Sequence, residues 1–341
     1  MPELWTFDIN RMAMIDRKGI WTFLLLAFGI TFVYEGCLIA SGMSMNFGFS
    51  SLGPMPPAYA PILIGLAMWV PAISTVIVVK FITKEGFGVT NFRIGALKPY
   101  AVSALVIPAV FAVIYVLTWL VGLATPDWQL QSLRHTLVVK GIDTSHLPDP
   151  RMVLPGIFCA SLVMGPVVNG LFGFGEEFGW RGYLLPKLMP LGKWKAYTLV
   201  GIIWGLWHAP LILAGFNYPG HPILGVLGMI GMTTAFGLYI NEMTLRHRSS
   251  ILAGWMHGAF NGQFYGVWRI LFPNADALLG GVTGLVGMLV WAALGLAVAR
   301  RTQAPSGDSP GTFVEHGGPA NGSQPIRSET NSTSSAAGSR R

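Results

Sequence analysis

Charge is scarce in this chain. Asp, Glu, Lys and Arg make up 11% of its 341 residues, against about 25% in an ordinary soluble domain. With 52% apolar residues and a positive mean hydropathy, that shortage excludes the two soluble domains that length alone would allow. Cysteine is nearly absent. Cys37 and Cys159 both stand in apolar runs, so they read as small core residues rather than a disulfide or a metal site. The zinc-protease signature His-Glu-x-x-His is missing, as is any internal repeat. No small-residue cleavage site convincingly follows the first apolar run, so no cleavable signal peptide is expected. The net charge of +7 is no nucleic-acid signal, because the basic residues sit in short loops, where they set membrane topology.

Long apolar runs are what the chain has in quantity. A spanning helix needs about 20 apolar residues. Candidate spans are 20–41, 61–82, 99–123, 152–174, 196–216, 222–243, 251–267 and 276–299, of which the seventh is short and the eighth rich in glycine. The fourth is expected to continue as helix past Phe174 at least to Leu185, before Pro186. The expected fold is all-α: a polytopic membrane bundle of about eight helices. Arg17, Lys18, Lys84, Arg93, Lys98, Lys187, Lys193, Arg246 and Arg300 then fall on one face, which the positive-inside rule makes cytoplasmic, with both termini inside. The opposite loops, 44–60, 124–151, 217–221 and 268–275, are poorer in unbalanced positive charge. The domain reading is a cytoplasmic segment at 1–19, a membrane domain at 20–301 with its motifs within 152–267, and a Ser/Gly/Pro/Asn-rich tail at 302–341. That tail has almost no large apolar residue and is expected to be disordered. Membrane lipid is the expected surrounding, with basic helix ends near anionic headgroups.

Against this background Glu176-Glu177-Phe178-Gly179-Trp180-Arg181 stands out. An ionisable residue at membrane depth costs about 2.5–3.5 kcal/mol on insertion scales and marks a functional site by default. Glu177 and Arg181 are four apart, share a helical face and can neutralise each other. Glu176 lies about 100° round the helix, without that partner. Two further apolar segments carry polar residues at helical spacing: Trp204-x-x-x-His208 and His257-x-x-x-Asn261. Together they form a kit for amide hydrolysis without a protein nucleophile. Glu176 would be the base, and His208 would orient the water and pass a proton to the leaving amine. His257 and Asn261 would hold the oxyanion. Glu177 and Arg181 would fix the helix. Taken singly, either histidine reads as a packed interhelical residue, and Trp204 and Trp207 as packing aromatics. Glu35 could join a polar cavity but reads first as structural, and Glu242 reads as a partner of Arg246 at i+4. The conjunction of three motifs on separate helices outweighs the single readings.

Those three motifs resemble the CPBP family, the CAAX proteases and bacteriocin-processing enzymes, also called the type II CAAX prenyl endopeptidase or Abi family. The family pattern is Glu-Glu-x-x-x-Arg, then aromatic-x-x-x-His, then His-x-x-x-Asn or Asp; here Trp204 stands where Phe is commoner. The resemblance covers roughly residues 152–267. It implies an intramembrane glutamic endopeptidase with no cofactor. Glu176 and His208 would activate water, His257 and Asn261 would form the oxyanion site, and the substrate would be a membrane-anchored or hydrophobic peptide. For bacterial members it implies the cytoplasmic membrane. Two other classes stay open on the residues alone: a zinc protease, since Glu plus two His can hold a catalytic zinc, and a non-catalytic scaffold or transporter, since intramembrane Glu and His can relay protons.

Overall fold

Three of the helices open where the sequence supplies a side-chain cap. In the computed structural model, which describes residues 15–45, 57, 59–139, 141–146 and 148–301 without the Arg301 side chain, helix α1 covers Arg17–Ala40 and Asp16 accepts the Gly19 N–H at 2.8 Å. Then come α2 at Ala60–Ile82, α3 at Lys98–Leu120 and α4 at Gln131–Val139. Helix α5 covers Pro150–Leu191, with Asp149 accepting the Arg151 N–H at 2.7 Å. Helices α6 (Lys193–Trp207), α7 (Ala209–Leu213) and α8 (Pro222–His247) follow. Helix α9 (Ser250–Gln263) is capped by Ser249, which accepts the Leu252 N–H at 3.0 Å. Helix α10 covers Leu285–Arg301. These side chains satisfy N–H groups that a helix start leaves without partners. No strand occurs among the described residues. The tail expected to be disordered at 302–341, most of the 1–19 segment and most of the 44–60 loop lie outside the described residues.

The chain is a helical membrane protein. Among the described residues, helices α1, α2, α3, α5 and α8 are long and apolar enough to cross a bilayer, fewer than the expected eight. The sequence explains the difference. The fifth span, expected at 196–216, breaks at His208 because Pro210 has no N–H for the carbonyl four residues back and its ring crowds that carbonyl. The eighth starts at Leu285 rather than near 276. Asp276 Oδ1 accepts the N–H groups of Leu278 and Leu279 at 2.9 and 2.7 Å, making a turn, and Gly281 takes a left-handed φ of 62°. The seventh ends as regular helix at Gln263 and runs on through a wide turn at Phe264–Trp268, kinked at Gly266. The 124–151 loop contains α4. The fourth behaves as expected and continues to Leu191, through wide turns at Gly165–Asn169 and Phe178–Leu184.

Helix α5 packs against α2 and α9, and α8 packs along both α6 and α10. The contact of α5 with α9 is made of backbone. Gly254, Gly258 and Gly262 recur every fourth residue on α9. A Cβ on Gly258 would strike Gly170 N, one on Gly262 would strike Gly165 Cα, and one on Gly254 would lie 2.7 Å from Phe174 Cα. Small residues at this spacing let membrane helices approach closely. At one end of the bundle Lys187 joins α5 to two other segments, donating to Asp16 at 3.0 Å and Glu85 at 2.5 Å. Burial pushes the Asp16 carboxyl up, but the Gly19 amide and Lys187 outweigh it and hold its pKa below the ordinary carboxylate value.

Candidate active site

Pro210 shapes the site as well as the helix break. With the turn tightened, the His208 N–H bonds the Gly205 carbonyl at 3.2 Å, three residues back. The Trp204 carbonyl, the usual partner four residues back, instead meets His208 Nδ1 at 2.9 Å. A carbonyl can only accept, so Nδ1 carries the proton, and in the neutral ring Nε2 keeps its lone pair.

The seam between α5 and α9 sets the second contact. Bringing the two backbones together places His257 Nδ1 2.8 Å from Glu177 Oε1. The same carboxylate takes Arg181, whose Nη1 lies 2.9 Å from both oxygens and hydrogen-bonds Oε1. Arg181 Nε donates to Asn241 Oδ1 at 2.9 Å, and its guanidinium lies over the Trp204 ring, 4.2 Å from the centroid. Glu177 and Arg181 are wholly buried, and His257 is 5% exposed. A buried ion pair offsets its desolvation only as far as further hydrogen bonds serve both partners; Glu177 Oε1 and Arg181 Nε are served, while Glu177 Oε2 and Arg181 Nη2 have no hydrogen bond to a described residue. The expected Glu177–Arg181 pair is therefore present. It also orients His257.

Glu176 is held differently. Trp204 Nε1 donates to Glu176 Oε2 at 2.6 Å, and Trp180 Nε1 approaches the same oxygen at 3.4 Å. No described residue donates to Oε1. Trp204 therefore touches four other residues of the site: its ring faces Arg181, its N–H holds Glu176, its carbonyl holds His208, and its ring edge meets His257 at 5.5 Å between centroids. Trp207, read from sequence as packing, donates to Thr31 Oγ1 at 2.9 Å and so ties α6 to α1.

Glu176, Trp204, His208, His257 and Asn261 line one cavity of about 520 Å³. Its walls come from α1, α2, α5, α6, α8 and α9, and Phe236 and Phe260 stack across one of them at 4.6 Å. His208 and Asn261 are half-buried at its surface. Three residues belong to this region that the motifs did not name. Asn241 completes the Arg181 network, Glu35 enters the lining from α1, and Arg269, counted from sequence as a loop charge, lines the cavity. Glu242 bonds Tyr197 at 2.9 Å and pairs with Lys193 at 2.7 Å, with Arg246 farther away at 3.8 Å. Among the described residues no three His, Cys, Asp or Glu side chains are grouped to hold a metal ion.

Residues 146–263 match the family model described as type II CAAX prenyl endopeptidase Rce1-like. The matched stretch contains Glu176, Glu177, Arg181, Trp204, His208, Asn241, His257 and Asn261, and it leaves out Glu35 and Arg269. A similar curated protein is CAAX prenyl protease 2 of Methanococcus maripaludis, 37% identical over 82 residues. That alignment covers 23% of this chain and 30% of the relative, so the chain spans less than a third of that protein's length. The matched segment thus supplies Glu176, Trp204, His208, His257 and Asn261 to the cavity, while α1 and α2 contribute walls from outside it.

Proposed function

We propose that the chain is an intramembrane endopeptidase that hydrolyses a peptide bond of a membrane-associated or hydrophobic substrate by glutamate-activated water. The observation that carries this reading is the meeting of Glu176, His208, His257 and Asn261 on one cavity inside a membrane bundle. The Rce1-like match supports the same class.

In the proposed mechanism the free oxygen of Glu176 takes a proton from water. The His208 Nε2 lone pair orients that water toward the scissile carbonyl. As the water oxygen bonds to carbon, charge collects on the carbonyl oxygen. His257 and Asn261 supply donors to it. For His257 that requires a proton on Nε2 while Nδ1–H serves Glu177. The imidazolium form meets this need and balances the buried charges: Glu176 and Glu177 negative, Arg181 and His257 positive. The C–N bond then breaks, and the proton taken from water reaches the leaving nitrogen through Glu176 or His208. Glu177 and Arg181 act by holding His257 and the helix in place.

The test is cleavage of a membrane-peptide library by purified protein, with Glu176→Gln and His208→Ala as comparisons. Both variants are expected to stay folded and lose turnover by about 10²–10⁴-fold, the range for a positioned acid or base. Cleavage by Glu176→Gln at the wild-type rate would remove the assigned base. Stoichiometric zinc with chelator-sensitive cleavage would replace the glutamic reading by the metal one.

A further inference from the structure

The buried face of α1 recurs every fourth residue. Phe23, Ala27 and Thr31 are wholly buried, and the next in the series, Glu35, is 1% exposed. The other side of this helix is built for lipid, with Leu25 and Val33 about 70% exposed (73% and 69%). Trp207 fixes the register of α1 through Thr31 Oγ1, one turn before Glu35. His208 is the residue after Trp207, and Glu35 lines the same cavity as His208 and Glu176.

Glu35 has no partner there. Both carboxyl oxygens are buried and neither is hydrogen-bonded to a described residue. Each of the other buried carboxylates has at least one oxygen served: Glu176 by indole N–H groups, Glu177 by Arg181 and His257, Glu242 by Tyr197 and Lys193. A buried polar group without a partner is destabilising, and at membrane depth such a group marks function. A peptide entering this cavity has the complementary problem. Its backbone N–H and C=O groups leave water for walls that are largely apolar and cannot satisfy them.

We propose that Glu35 is a substrate-binding residue whose carboxyl turns out of its buried position to hydrogen-bond the peptide backbone of a chain lying in the cavity. The proposal rests on the endopeptidase reading for the identity of its ligand, and it adds a contact from α1, outside the Rce1-like segment. Glu35 holds the peptide while Glu176 acts on the water.

The experiment measures binding and stability rather than turnover alone. A short dansyl-labelled apolar peptide of Leu, Val and Ala is titrated into the Glu176→Gln protein in detergent, then into the same protein carrying Glu35→Leu or Glu35→Gln. Loss of one hydrogen bond at about 1.4 kcal/mol is tenfold in affinity. Glu35→Leu is expected to weaken binding about tenfold. Glu35→Gln, which keeps a donor and an acceptor, is expected to bind within about threefold of the parent. Thermal midpoints separate function from packing: Glu35→Leu removes an unsatisfied group, so its midpoint is expected to equal or exceed the parent's. Unchanged binding by Glu35→Leu overturns the proposal. So does a loss as large in Glu35→Gln, which would assign the site to charge, or a midpoint that falls in step with affinity. In parallel cleavage assays with Glu176 intact, wild-type KM in Glu35→Leu beside an inactive Glu176→Gln would remove this inference alone. Undiminished cleavage by Glu176→Gln would remove the base assignment and leave the binding result standing.

Discussion

At residue scale, Trp204 carries more of the site than its place in a motif suggests. Its ring supports Arg181 and its N–H holds Glu176 Oε2 at 2.6 Å. A phenyl ring, commoner at this position in the family pattern, would keep the first contact and lose the second. Trp204→Phe leaves Glu176 only the longer Trp180 contact at 3.4 Å. A hydrogen bond to a charged group contributes about 1.5–3 kcal/mol, so a lower thermal midpoint in detergent is expected, together with reduced turnover. An unchanged midpoint would show that Trp180 takes over. The pair Glu177–Arg181 was legible in the sequence because its partners are one helical turn apart. His257 and Asn241 were not legible as partners of that pair. They lie 80 and 60 residues away, and spacing along one helix says nothing about a contact across two. Asn241 did leave a signal, as a carboxamide inside an apolar helix. Glu35 left the same kind of signal, and the structure adds that it lines the cavity.

At the scale of elements, the long helices were readable because composition alone marks them: α1, α2, α3, α5 and α8 are apolar over a full span. The shorter ones show where composition stops deciding. Pro210 acts by removing one hydrogen bond and the Asp276 turn by making two, and an apolar run continues across both. The glycine series on α9 was also visible as a period of four, and its meaning came from what faces it. Gly258 meets Gly170 backbone directly, so even one methyl group must part the helices that carry Glu177 and His257. Overpacking of this kind costs about 1–3 kcal/mol. Gly258→Ala is therefore expected to lower the thermal midpoint and to slow cleavage more than loss of folded protein explains. A control at Gly156, where a Cβ meets nothing within 4 Å, is expected to do neither.

At the scale of the whole molecule, the basic helix ends make a prediction about orientation. With Cys37 and Cys159 replaced by Ser, single cysteines are placed at the exposed positions Leu97 and Ile142. An impermeant thiol reagent applied to intact cells is expected to label Ile142→Cys and to reach Leu97→Cys only once the membrane is opened. The reverse pattern would invert the bundle. The α5–α9 seam has a further consequence at this scale. Bilayers differ in thickness, and helices usually answer by tilting. Side-chain interfaces permit that by exchanging rotamers, but a contact of backbone on backbone has no rotamers to exchange. Lipid of the wrong thickness is therefore expected to tilt α5 and α9 as one body, keeping the backbones that carry Glu177 and His257 in register whatever the membrane around them.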